Sequence, residues 1–331
     1  MSANAVLQPV ARPHGALGLA PMEGVIDGLT RALLCEQGGL DWIVTEFVRV
    51  TNTIYPPRVF HRICPELAQG CQTVGTTPVH LQLLGSDPAM MTANAVQAAR
   101  LGARSIDINF GCPAKLVNRH DGGASLLRRP EHMERLIDDM QRALRPFEIP
   151  VTAKIRLGFD NKQLALACAL ATERGGASRL TVHARTKAEG YRRPAHWEWV
   201  RRIRDRISIP VVVNGDIQTL EDYWRATTLS GCQDAMIGRG LLADPALARR
   251  IKHWQHTGTR LPPTTWAEKA GVLLNYASRV DGALPDKVTL SLLKQWLNMM
   301  RLGSHDGEQW FQALKRERTL DEFTARLADS A

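Results

Sequence analysis

Eight short runs of β-branched and apolar residues recur along the chain, at 16–20, 42–45, 79–84, 105–109, 151–155, 180–183, 211–214 and 235–237. Each ends in a polar or glycine-rich segment, as a buried strand does where it leaves a core. Helix-like stretches lie between them, at 91–101, 130–144, 163–174, 197–207 and 220–229 among others. The strand starts stand 24 to 46 residues apart, enough for a strand, a crossover helix and two loops. Eight such units predict a (β/α)₈ barrel over 16–258. The competing doubly wound sheet carries a Gly-x-Gly-x-x-Gly turn after its first strand. Here that strand runs instead into Pro21-Met22-Glu23-Gly24.

Beyond Ile251 the strand pattern stops. The stretch 261–265, Leu-Pro-Pro-Thr-Thr, reads as a hinge, with Thr265 placed to cap a helix. From there the pattern is helical to the end, which predicts a helical domain over 262–331. Along 287–301 Lys287, Ser291, Lys294, Asn298 and Arg301 fall on one narrow polar stripe beside an apolar one of Leu290, Leu293, Leu297 and Met300. Residues 1–15 read as a loose tail with neither the basic start nor the apolar core of a secretory signal. No stretch reaches the roughly 18 uncharged apolar residues of a membrane span. Six cysteines, at 35, 64, 71, 112, 168 and 232, form no Cys-x-x-Cys pair. That predicts no zinc site and fits a reducing cytoplasm.

The formal net charge is +9, and 33 of the 42 basic residues are arginine. Arginine's planar fork pairs with phosphate at two points and stacks on bases, which suits nucleic acid, although a GC-rich genome also favours arginine codons. Residues 262–331 hold nine basic and nine acidic side chains, so the surplus belongs to the predicted barrel. Residues 185–206 concentrate it, with eight basic side chains against three acidic and Tyr191, Trp197 and Trp199 interleaved. A solvated helix face is the plain alternative for 201–206, whereas 185–193 would border the barrel mouth.

Barrels of this kind work at the carboxyl ends of their strands and hold phosphate on the loops after strands seven and eight. Those loops here are Asn214-Gly215-Asp216-Ile217 and Gly238-Arg239-Gly240, where glycine admits close backbone N–H groups and Arg239 adds charge. Strand ends four to six add Asn109, Lys154 and His183. Ala153 and Ile155 alternate with Lys154, which therefore points into the barrel mouth, a costly place for an amine without an anionic partner such as a reduced flavin. In Asn109-Phe110-Gly111-Cys112-Pro113 a thiol sits just past strand four, on a turn that Pro113 keeps out of helical geometry. With an ordinary pKa of about 8.5 it is protonated near neutrality and suits a general acid, against the plain reading of a packing cysteine.

Taken in order, Ala20-Pro21-Met22-Glu23-Gly24-Val25, Thr45-Glu46-Phe47-Val48-Arg49, Gln82-Leu83-Leu84-Gly85, Asp107 to Pro113, Lys154-Ile155-Arg156-Leu157-Gly158, Val182-His183-Ala184-Arg185-Thr186, 214–217 and Met236 to Gly240 resemble the motif series of the tRNA-dihydrouridine synthases. Glu46-Phe47-Val48-Arg49, the stretch 60–67 and Lys294-Gln295-Trp296-Leu297 resemble the bacterial C-type branch, which modifies uridine 16 of the D-loop. The resemblance implies a (β/α)₈ barrel with a C-terminal helical tRNA-binding domain, FMN as cofactor, NADPH as reductant and tRNA as partner, in a cytoplasmic protein expected to be monomeric. It implies that Pro21, Met22 and Glu23 line the flavin, with Gln82 and Lys154 reaching its ring. His183, Asn214, Gly215, Asp216, Gly238 and Arg239 would hold its phosphate end. Cys112 would be the catalytic acid, Asn109, Arg156 and Tyr191 would grip the uracil, and Arg49, Lys294, Trp296 and Arg301 would orient the tRNA. One departure is Asn118-Arg119-His120-Asp121, where a smaller glycine-rich turn is expected. Two rivals remain: a flavin barrel reducing a small molecule, as dihydroorotate dehydrogenases do, and a colourless RNA-binding barrel. The first leaves the basic surplus and the C-terminal helical domain without a purpose.

Overall fold

The computed structural model describes residues 14–330 apart from 74, 120, 281 and 303. Most of the tail expected over 1–15, and His120, lie outside the described residues.

Eight parallel strands close into a barrel in sequence order: β1 (Leu17–Leu19), β2 (Trp42–Arg49), β3 (Val79–Leu84), β4 (Ile106–Phe110), β5 (Val151–Arg156), β6 (Arg179–His183), β7 (Val211–Asn214) and β8 (Ala235–Ile237). Ladders run from β1 to β2 and round to β8, which pairs with β1 through Leu17–Ala235, Gly18–Met236 and Leu19–Ile237. Period-two alternation sorts the side chains. On β4, Ile106, Ile108 and Phe110 join the main apolar core, while Asp107 and Asn109 enter the polar network inside the barrel. On β5, Val151, Ala153 and Ile155 join the same core, and Thr152, Lys154 and Arg156 alternate with them.

The one marked departure from the expected strands is β2, which runs to Arg49 rather than ending at Thr45. A bulge between Val44 and Phe47 shifts the register. There the Thr45 hydroxyl donates to the Glu46 carbonyl and accepts from the Gln82 N–H, so the extra residue leaves few polar groups unpaired. The bulge re-aims the chain, and Phe47 comes to the barrel mouth.

Crossover helices start on local signals. Pro57, Pro88 and Pro130 occupy first-turn positions where a missing N–H costs nothing, and Asp27 and Asp87 accept from the third backbone N–H beyond them. Past the barrel come four more helices, Trp266–Val280, Asp286–Met300, His305–Leu314 and Leu320–Ala328. Thr265 and Glu268 cap the first of them reciprocally, each side chain accepting from the other's backbone N–H.

These helices share one contiguous apolar core with the barrel, through Leu290, Leu293, Trp296, Leu297 and Met300. Three polar contacts fix their seat. The Trp296 indole N–H donates to the Leu242 carbonyl at 3.1 Å, Tyr276 donates to Asp27 at 2.9 Å, and Arg279 grips Glu36 with both terminal nitrogens. No helix among the described residues is long and apolar enough to cross a membrane.

Candidate active site

A cavity of about 540 Å³ opens at the carboxyl ends of the strands. Every strand but β3 sends at least one residue to it, directly or from the loop that follows: Pro21, Met22 and Glu23 after β1, Phe47 on β2, Asn109 and Cys112 from β4, Lys154 and Arg156 on β5, His183 on β6, Asn214 to Asp216 from β7 and Gly238 to Gly240 after β8. Its volume lies within the range of small-molecule and cofactor sites.

The Cys112 turn is clamped from three sides. Asn109 Oδ1 accepts from the backbone N–H groups of Gly111 (2.9 Å) and Cys112 (2.8 Å). Asn118 Nδ2 donates to the carbonyls of Cys112 and Ala114, and Arg156 Nε donates to that of Gly111 at 2.8 Å. Behind Asn109 runs a buried chain: Asn109 Nδ2 donates to Gln82 Oε1, Gln82 Nε2 to Asp107 Oδ2, and Thr152 Oγ1 to Asp107 Oδ1. Phe47, Leu84 and Val117 pack around Cys112 as a small apolar cradle. Burial pushes the thiol's pKa up, with Glu23 adding to the rise, while a backbone N–H near Ala114 and the charges of Arg156 and Arg49 oppose it. The sulfur is therefore a thiol at neutral pH, which a proton donor requires.

The opposite wall is cationic. Lys154 Nζ donates to Asn214 Oδ1 at 3.1 Å, and burial together with Arg156 lowers its pKa to about 8. His183 is held neutral, first by burial and then by Arg156, Lys154, Arg185 and Arg239 around it. Asp216 is fixed by Arg185 and the Ala195 N–H through Oδ2, and its buried Oδ1, 4.0 Å from Arg193 Nε, has no hydrogen-bond partner. The half-exposed Tyr191 ring stands at the lip between Arg156, whose guanidinium carbon lies 5.3 Å from its centroid, and Arg239 at 4.9 Å.

The glycines are structural necessities. Gly215 has φ +118°, and a Cβ there would come within 2.9 Å of the His183 ring. A Cβ at Gly240 would lie 2.2 Å from the Ile217 carbonyl oxygen. Gly240→Ala is expected to force the loops after β7 and β8 apart and cost about 1–3 kcal/mol, the usual scale of overpacking; denaturant titration checks it.

These features fit a flavin nucleotide. Lys154 and Arg239 face the cavity without a carboxylate ion pair among the described residues, the buried Asp216 Oδ1 lacks a donor such as a hydroxyl, and the glycine loops leave room for a bulky group. The fit also gives a pH dependence. Lys154 holds its proton below about pH 8 in the free protein and loses it above. Binding of an anion to the protonated amine should then weaken as pH rises past 8, by up to tenfold per unit. FMN titrations from pH 7 to 10 check this, and Lys154→Met should bind more weakly and flatten the profile.

Sequence-expected residues divide into three groups. Those called for the flavin all line the cavity except Gln82, which is fully buried behind Asn109. Asn109, Arg156 and Tyr191 line it too, but Asn109 and Arg156 spend much of their hydrogen-bonding capacity on the Cys112 turn and, for Arg156, on the carbonyls of Thr186 and Gly190. The expected tRNA contacts are not brought to the cavity. Arg49 reaches the Leu116 carbonyl, Lys294 donates to the Glu317 carbonyl, and Arg301 pairs with Glu308 at 2.6 Å over the Phe311 ring. Trp296, expected among the residues that orient the tRNA, is 4% exposed, and its indole braces the helix Arg239–Ala243 that follows β8. Sequence reasoning missed Phe47 and Met299, the latter bringing the C-terminal helices into the cavity wall. The signal for Met299 was its place beside Met300 on an apolar stripe.

Comparison with known proteins shows the family. The family model described as dihydrouridine synthase matches residues 18–330. A tRNA-dihydrouridine(16) synthase of Aquipseudomonas alcaligenes is 44% identical over 312 residues, covering 94% of this chain and 98% of that protein. One of Neisseria meningitidis serogroup B is 45% identical over 312 residues, covering 94% and 93%. Among solved structures, histamine dehydrogenase from Rhizobium sp. 4-9 shares the barrel fold, with a TM-score of 0.53 at 14% identity over 75% of this chain and 47% of its own length. The match across nearly the whole chain disfavours both the small-molecule reductase and the non-enzymatic reading. The chain belongs to the dihydrouridine synthase family of tRNA-modifying oxidoreductases.

Proposed function

We propose that this enzyme reduces uridine 16 in the D-loop of tRNA to 5,6-dihydrouridine, with FMN held in the cavity and NADPH as the reductant. The observation that carries the reading is the meeting, across one cavity, of a protonated thiol on a clamped turn and a cationic wall in which Lys154 and Arg239 have no carboxylate partner among the described residues. When bound, reduced FMN supplies the hydride that uracil C6 must receive.

The chain's own residues do the rest. Pro21, Met22 and Glu23 line one side of the flavin, and Lys154 offers its ammonium to the ring system. His183, Asn214, Gly215, Asp216, Gly238 and Arg239 take the ribityl phosphate, with Asp216 Oδ1 accepting from a hydroxyl. Cys112 donates its proton to uracil C5. Asn109 keeps one N–H for the base, with the Arg156 guanidinium beside it, and Gln82 holds Asn109 in that rotamer. Tyr191 supplies a stacking face at the lip.

The uridine must leave its stack to enter. That costs a few kcal/mol, less in a loop than in a duplex, and base stacking plus phosphate contacts offset it. In this reading 16–258 is the catalytic domain and 262–331 the tRNA-binding domain, with Arg49, Lys294 and Arg301 near the path of the RNA, in a monomeric cytoplasmic protein. Purified protein should be yellow and oxidise NADPH faster when unmodified tRNA is added. Equal stimulation by fully modified tRNA would refute the substrate assignment.

A further inference from the structure

The stretch 184–196 leads from β6 past the cavity-lining Tyr191 to the helix Trp197–Arg204, and it carries a carboxylate that the reaction described above does not use. Glu189 gathers three segments. Its Oε2 accepts from the Thr186 N–H at 2.7 Å, within the same stretch. Its Oε1 accepts from Lys162 Nζ at 3.0 Å, on the loop after β5, and from His196 Nε2 at 2.9 Å, at the start of the helix. The Glu189 N–H donates back to Thr186 Oγ1 at 3.2 Å and closes the turn. Burial opposes ionisation of this carboxyl, yet the Thr186 N–H, Lys162 and His196 lower its pKa to about 2, so it is charged at any working pH.

The turn holds Arg156. Its guanidinium Nη1 donates to the carbonyls of Thr186 at 3.2 Å and Gly190 at 2.9 Å, one at each end of the turn. Thr186 is bonded to Glu189 through both its N–H and its hydroxyl, and Gly190 is the next residue, so the carboxylate fixes both acceptors. Tyr191 follows directly, with its ring centroid 5.3 Å from the Arg156 guanidinium carbon. The middle of the turn has tethers of its own: the Lys187 and Ala188 N–H groups donate to the Gly158 and Phe159 carbonyls, each at 2.9 Å. Those bonds survive loss of the carboxylate, which would leave the loop seated and its two ends free to shift. Glu189 does not itself line the cavity.

We propose that Glu189 is a positioning residue for uridine reduction: held between Lys162 and His196, its carboxylate sets the Thr186 and Gly190 carbonyls that aim the Arg156 guanidinium at the base. The inference rests on the function proposed above, in which Arg156 meets the uracil. Glu189 acts only through Arg156 and the Tyr191 that follows it. Displacing a substrate-orienting group by about 1 Å costs up to about 100-fold in rate, even when the altered residue is remote from the reacting atoms.

The test is a double-mutant cycle on single-turnover reduction of saturating unmodified tRNA by the flavin-loaded enzyme. Glu189→Gln keeps the size of the side chain and an acceptor for the Thr186 N–H but removes the charge. It should slow reduction by about 10–100-fold, with flavin content, flavin reduction by NADPH and tRNA affinity no weaker than in the wild type. In an Arg156→Met background the same substitution should change the rate by less than about twofold, because effects of residues that act through one another do not add. Arg156→Lys supplies the background if Arg156→Met does not fold. Lys162→Met, which removes one anchor, should repeat the pattern with a smaller loss, and it decides if Glu189→Gln does not fold. Equal fold-losses in both backgrounds, a wild-type rate in Glu189→Gln, or a loss of flavin matching the loss in rate would each overturn the assignment. A wild-type enzyme that makes no dihydrouridine would overturn the proposed function itself, and this assignment with it.

Discussion

Cys112→Ala should bind flavin and tRNA as the wild type does and yet turn over about 10²–10⁴-fold more slowly, the usual loss when a positioned general acid is removed. The reason is geometric. The turn that carries the sulfur is held by backbone hydrogen bonds to Asn109, Asn118 and Arg156, none of which involves the thiol. Removing Sγ therefore leaves the cavity wall intact. Single-turnover kinetics on unmodified tRNA, with flavin content from the visible spectrum and tRNA affinity from filter binding, separates this outcome from misfolding. A loss of flavin or RNA binding equal to the loss in rate would mean that the thiol packs rather than reacts.

The largest stability effect is expected far from that site. Arg31 is fully buried, and its guanidinium donates to both oxygens of Glu66, at 2.8 and 2.7 Å, and to the carbonyls of Ile26 and Ile63. Four of its five N–H groups are used, and the pair ties the helix Gly28–Glu36 to the segment Pro65–Gln69. Arg31→Met would strand a buried carboxylate and two carbonyls, at a cost of about 3–5 kcal/mol. Removing both charges, in Arg31→Met with Glu66→Leu, should recover much of that loss, because desolvation offsets most of what a buried pair gains. Urea titration of the three variants checks both statements; a single variant within 1 kcal/mol of wild type would contradict them.

The barrel was legible because its strands are buried on both faces and bounded by glycine and polar turns, which leaves short apolar runs at regular spacing. Lys154 was legible for a related reason: period two places it opposite Ala153 and Ile155 without knowledge of any contact. Cys112 followed from its position after strand four. The length of β2 was not legible, since Glu46 and Arg49 look like loop residues until a bulge is known to turn the chain. Nor was the use of Asn109, because its partners lie two and three residues ahead in a turn and 27 residues back on β3. The Arg31–Glu66 pair spans 35 residues, and an arginine amid Leu29, Thr30, Ala32 and Leu33 carries no local mark of its partner. For Trp296 and Met299, one sequence identifies an apolar helix face but not the surface that receives it.

The central claim is that the cavity receives one base of the D-loop. Its most direct test is incubation of an unmodified tRNA transcript carrying several D-loop uridines with the purified enzyme and NADPH, followed by mapping of dihydrouridine at nucleotide resolution. Reduction is expected at position 16 alone, and none with Cys112→Ala. Reduction at a different uridine, or none with flavin bound and NADPH present, would contradict it.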